Sequence, residues 1–150
     1  MGDDYPRLLA DRDVVVIRGG QPEQARLRGW LDGHDGPVPT YRIELVTRLG
    51  SYTCPYTATG PDMFEALVRL RRQLEPDGLI VAVQGSRRDT YPSGMARDMG
   101  GGMQVYVMRP GQPGRPDLVK TLDDAPPDQM ATVDEQRAFS EAWLADRKTQ

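Results

Sequence analysis

The chain has 150 residues, a formal net charge of −3 and a pI of about 5.2, with one cysteine and one histidine. That length closes one hydrophobic core, and a lone cysteine excludes an internal disulfide framework and leaves little for a zinc site. The acidic balance disfavours capture of nucleic acid by net charge, no apolar run reaches the ~18 residues of a membrane span, and the acidic start is not that of a signal peptide, so a cytoplasmic protein is expected.

Charge is unevenly placed: residues 1–39 carry a net −2, residues 40–116 a net +3, and residues 117–150 a net −4. A basic middle lies between acidic ends, which either fold over it or leave it facing an acidic partner.

In chain order, Asp13-Val14-Val15-Val16-Ile17 reads as a first strand ended by Gly19-Gly20. Residues 19–39 are rich in Gly and Pro and read as loop, with at most a helical turn or two around Glu23–Leu31. Tyr41, Ile43, Leu45 and Thr47 alternate on one face; Gly50-Ser51 then reads as a type II′ turn into a second strand carrying Tyr52, Cys54 and Tyr56. Pro55 cannot donate to a ladder and assigns that strand to an edge.

Asp62 through Glu65 has the form of a capping box. Met63, Leu67, Leu70 and Leu74 follow at helical spacing, placing Arg69, Arg71 and Arg72 on the wet side, and Pro76-Asp77-Gly78 ends the helix. Leu79–Val83 is continuously apolar, the pattern of a central strand covered on both faces. Met103–Met108 and Leu118–Leu122 read as further strands. Thr132 to Glu135 repeats the capping-box pattern and opens a helix to about Arg147, with Phe139, Ala142, Trp143 and Asp146 on one side.

The elements predict an α+β domain: a mainly antiparallel or mixed sheet of about five to six strands with two main helices packed on it. Residues 1–150 form a single domain in this reading, 1–39 being a loosely structured segment with one strand and 40–150 the core. Its expected core includes Leu67, Leu70, Leu74, Ile80, Val81, Val83, Val105 and Trp143.

Residues 85–102 are too long for a simple strand connection and hold five glycines and three arginines. Glycine permits close backbone approach to a ligand, and arginine binds phosphate or carboxylate bidentately. Arg87, Arg88, Asp89, Tyr91, Ser93, Arg97 and Asp98 are therefore the candidate anion- or partner-binding residues, with Ser93 capping a short helix that presents Arg97 and Asp98 together. Internal Arg–Asp pairing is the competing structural role for the same side chains. The run Gly85-x-Arg87-x-Asp89-x-Tyr91-Pro92-Ser93-Gly94-Met95-x-Arg97-Asp98-Met99-Gly100-x-Gly102 resembles an uncharacterised family of short bacterial proteins. The resemblance extends from the Phe64 helix to about Phe139 and implies a shared fold, with no reaction or cofactor attached to it.

Catalytic signatures are missing. Tyr91-Pro92-Ser93-Gly94 lacks the first glycine of a nucleophile elbow, and His34 lies far from Ser93 in sequence. Cys54 reads as a small half-buried residue. Gly100-Gly101-Gly102 is no dinucleotide fingerprint, and Asp123, Asp124 and Asp128 lack the spacing of a calcium loop and read as a solvated acidic turn. The sequence therefore favours a non-enzymatic binding or interaction protein, such as an inhibitor or accessory subunit, with a protein partner and no cofactor, metal or membrane. A small enzyme or sensor that binds an anionic metabolite or nucleotide through residues 85–102 is the alternative.

Overall fold

The computed structural model describes residues 4–49, 51–112 and 115–148. Four strands, β1 (Arg7–Arg18), β2 (Gln21–Asp35), β3 (Val38–Leu49) and β4 (Tyr52–Gly60), run as an antiparallel meander. Helix α1 (Met63–Leu74) follows, then β5 (Leu79–Val81), β6 (Thr90–Tyr91), the short helix α2 (Gly94–Asp98), β7 (Gln104–Val107), β8 (Leu118–Lys120) and α3 (Val133–Lys148). The strands form a five-stranded sheet, ordered β4-β3-β2-β1-β5, and a three-stranded sheet, ordered β6-β7-β8, in an α+β fold. No helix among the described residues is long and apolar enough to cross a membrane.

The stretch expected as loop after Gly20 is instead the long strand β2. Gly19 and Gly20 both adopt positive φ, as a type I′ hairpin turn requires, so β1 folds straight back on itself. Ala25, Leu27 and Gly29 then point inward while Arg26 and Arg28 point outward, where they pair with Asp13 and Asp11 at 3.0 and 3.2 Å. The inward face is easy to miss because Gly29 supplies no side chain: the Met63 Cε would lie 2.8 Å from a Cβ there, so the methionine fills that space.

The β3–β4 hairpin has the expected register, with Ile43, Leu45 and Thr47 buried and Pro55 on the edge strand. Its turn residue Gly50 lies outside the described residues. Strand β5 is an edge strand rather than a central one, and Ile80 is 36% exposed. The apolar run continues because Ala82, whose amide still donates to the Val15 carbonyl of β1 at 2.9 Å, and Val83 beyond it meet the 123–125 segment, with the Ala125 amide donating to the Ala82 carbonyl at 3.1 Å.

Asp62 caps α1 by accepting the Glu65 amide at 2.8 Å; the Glu65 side chain turns to Arg69 rather than back to the cap. The helix serves two cores. Leu67, Leu70 and Leu74 join Val14, Val16, Leu27, Ile43 and Leu45 over the large sheet, while Phe64 and Val68 join Val105 and Val133 on the other side. Arg71 is not on the wet side: it is 4% exposed, at the seam between these cores, because it lies four residues from Leu67 and three from Val68 and Leu74.

Helix α3 has the expected reciprocal capping box, with Glu135 N to Thr132 Oγ1 at 3.1 Å and Thr132 N to Glu135 Oε1 at 2.9 Å. Its buried stripe is Val133, Gln136, Ser140 and Trp143, so of the expected face only Trp143 is buried. The helix turns Gln136 inward because that side chain satisfies backbone groups of the facing loop.

Candidate functional site

The 85–102 segment is held first at its base. Arg71 donates to the carbonyls of Ala131 (2.8 Å) and Gly85 (3.3 Å) and to Gln136 Oε1 (2.6 Å). Gln136 Nε2 donates into the carbonyls of Gly85, Arg87 and Thr90 at 2.8, 2.8 and 2.9 Å. These carbonyls have no full strand ladder to satisfy them, and two buried side chains do so instead. Among the described residues no carboxylate lies within ion-pair distance of Arg71, and burial pulls its guanidinium down to about 10, with Glu75 opposing the shift. Nearby, Ser86 Oγ is buried without a hydrogen-bond partner among the described residues.

The candidate residues divide among separate tasks. Arg87 forms a two-bond fork onto Asp89, both contacts at 2.8 Å, and a third to Gln84 Oε1 at 2.9 Å. Arg97 lies 3.5 Å from Asp62 and 3.8 Å from Glu65, over the rings of Phe64 and Tyr91 at 5.1 and 5.7 Å, and so ties α2 to the start of α1. Tyr91 itself packs on Phe64, with ring centroids 5.2 Å apart. Ser93 caps α2 by accepting the Ala96 amide at 3.0 Å. Arg88 is exposed, over Phe139 at 5.3 Å, in a depression of about 520 Å³ that also holds Asp89, Arg109, Asp128 and Glu135. The three arginines thus meet three different sets of partners, and Asp98 faces solvent on α2.

At Gly101 and Gly102 the space that a side chain would take is filled by the protein's own atoms. A Cβ on Gly101 would lie 2.2 Å from Tyr41 Oη, and one on Gly102 would lie 2.8 Å from the Phe64 amide nitrogen; both residues adopt positive φ. Gly101 also accepts the Met63 amide at 2.7 Å, satisfying an orphan donor at the start of α1.

The segment also turns sulfur outward. Met95 and Met99 are 71% and 83% exposed, one helical turn apart. The residues that directly follow them, Ala96 and Gly100, line an open groove of about 850 Å³. Its apolar lining comes from Leu9, Ala10, Met103 and Leu122, and its charged lining from Asp11, Arg12, Lys120, Asp123 and Asp124. Arg12 is committed: it donates to the Leu122 carbonyl at 2.7 Å and pairs with Asp124 at 2.8 Å, while Asp123 stands 3.7 Å away. Asp11 is held by Arg26, whose hydrogen bond keeps its carboxyl below the usual range. Asp123 and Asp124 remain well exposed even so.

Sequence reasoning singled out this segment but missed Met95, Met99, Arg71 and Gln136. The signal for the methionines was an i, i+4 apolar pair in a helix too short to have another apolar side. Among the described residues no group of three or more His, Cys, Asp or Glu is placed to hold a metal ion. No protein-family model and no curated protein matches this chain.

Proposed function

We propose that this protein is a non-catalytic interaction module of the cytoplasm, and that its groove docks a basic, amphipathic segment of a protein partner. One observation carries the reading: the exposed methionines Met95 and Met99, in α2 and at its C-terminal cap, each precede a residue (Ala96, Gly100) that lines a groove with an apolar lining, and the exposed carboxylates Asp123 and Asp124 are part of that groove's wall. Methionine is unbranched and polarisable and adapts to varied apolar surfaces, which suits a docking surface. Exposed carboxylates beside it favour lysine and arginine on the incoming segment and speed its encounter.

The test uses two short synthetic helices of the same shape, one of Leu and Lys, the other of Leu and Glu, titrated against the intact protein by fluorescence anisotropy. The Leu/Lys peptide should bind and the Leu/Glu peptide should not. A Met95→Glu/Met99→Glu variant should keep its melting temperature and lose the binding. Equal binding of both peptides, or of neither, overturns the reading.

A second reading, an anionic metabolite or nucleotide held by residues 85–102, is supported at one position. Arg87 and Arg97 have carboxylates nearby, whereas Arg88 has none within 4 Å among the described residues. A thermal-shift screen with nucleotides and sugar phosphates separates the two. Saturation at about 100 Kd adds roughly 2.7 kcal/mol of stability, and an Arg88→Gln variant should abolish that gain.

A further inference from the structure

We infer that Met95 and Met99 form a peroxide-sensitive modification site that switches docking in the groove off; this rests on the docking reading above. The six described methionines fall into three environments. Met63 and Met108 are 0% and 1% exposed in the cores, Met103 and Met130 are half-buried, and Met95 and Met99 stand in solvent. Oxidation of a thioether needs approach of the oxidant to sulfur, so exposure sets the order of reaction.

The step is a two-electron oxygen transfer. The sulfur lone pair attacks one oxygen of hydrogen peroxide, the O–O bond breaks, and the departing hydroxide becomes water by taking the proton that the newly sulfur-bound oxygen gives up. Sulfur is oxidised to the sulfoxide and peroxide is reduced.

The placement makes this modification harmless to the fold and harmful to docking. The α2 backbone is fixed by the Ser93 cap and by amides of Gly100 and Gly102 donating to the Ala96 carbonyl at 3.1 and 2.8 Å, none of which involves a methionine side chain. A sulfoxide converts a flexible apolar side chain into a polar one, so the surface beside the Ala96–Gly100 edge of the groove would become polar while the cores stay unchanged.

The experiment treats the intact protein with graded hydrogen peroxide and reads three quantities on each sample: site occupancy by peptide mass spectrometry, melting temperature, and affinity for the Leu/Lys peptide. Met95 and Met99 should oxidise about tenfold faster than Met63 and Met108. At full occupancy of that pair the melting temperature should be unchanged and affinity should fall by about tenfold or more. A Met95→Leu/Met99→Leu variant, whatever its starting affinity, should hold that affinity after peroxide, and methionine sulfoxide reductase should restore the parent. Absence of binding before any peroxide is added overturns the docking reading and the switch with it. Binding that survives oxidation of both residues, or oxidation spread evenly over the six, overturns the switch alone.

Discussion

The large sheet and the α1–α3 joint are held together by opposite means. Over the sheet, α1 buries Leu67, Leu70 and Leu74 against aliphatic side chains, and the free energy comes from apolar area removed from water. At the joint, α3 turns a largely polar stripe inward, and Arg71 and Gln136 connect it to carbonyls of Gly85, Arg87, Thr90 and Ala131. The first surface tolerates apolar exchange of similar volume; the second depends on each donor finding its acceptor. One helix therefore carries a forgiving face and an exacting one, four residues apart.

The largest effect should come from the exacting face. Arg71→Ala leaves two buried acceptors unmet, the Ala131 carbonyl and Gln136 Oε1, and should cost about 4 kcal/mol in urea unfolding, and Arg71→Lys, which keeps charge but loses the planar fork, should recover only part of it. A cost below about 1 kcal/mol for Arg71→Ala would mean that the joint is held by packing after all. Leu67→Ala, on the forgiving face, should cost about 3 kcal/mol, while Leu67→Met should cost under about 1.5. If Leu67→Met were as damaging as Leu67→Ala, the two faces would not differ in kind.

A smaller change has the opposite sign. Ser86→Ala removes a buried hydroxyl that has no partner among the described residues and should raise stability by about 1 kcal/mol, measured as a higher denaturant midpoint at unchanged m. The smallest effect is on pH. The Thr132 amide and hydroxyl hold the Glu135 carboxyl below its ordinary value of 4.5. Its folded pKa is thus the lower one, so its contribution is present above pH 4.5 and is lost as pH falls through that lowered value. Glu135→Gln should remove that part of the acid dependence, seen as a flatter decline of melting temperature below pH 4.5.

The same contrast explains what the sequence made legible. Where free energy comes from apolar faces, period is visible: the β3–β4 hairpin, α1 and the strand around Val105 all follow from spacing. Strand β2 escaped because Gly29 occupies a core position without an apolar side chain and Met63 fills it from another element. Arg71 was misplaced by chemistry rather than by geometry, since its spacing from Leu67 and Leu74 already put it on the inner face. The inward turn of Gln136 was not readable at all, because its acceptors are carbonyls, which every residue has. In residues 85–102 composition marked a segment by its arginines and glycines, but Arg87 and Arg97 turn to internal carboxylates and the methionines turn out.

The span of the Arg71 contacts also orders events in time. Residue 71 meets its acceptors at 131 and 136, some sixty positions later in the chain. During synthesis the meander and α1 can collapse on local antiparallel pairs, but until residues 131–136 emerge the arginine has only Gly85 to bind and is best left hydrated. Contacts this distant in sequence form late, after the loops between them have closed. In the folded protein it is docking of α3, bringing in residues 131 and 136, that completes the partners of Arg71 and dries the α1 seam.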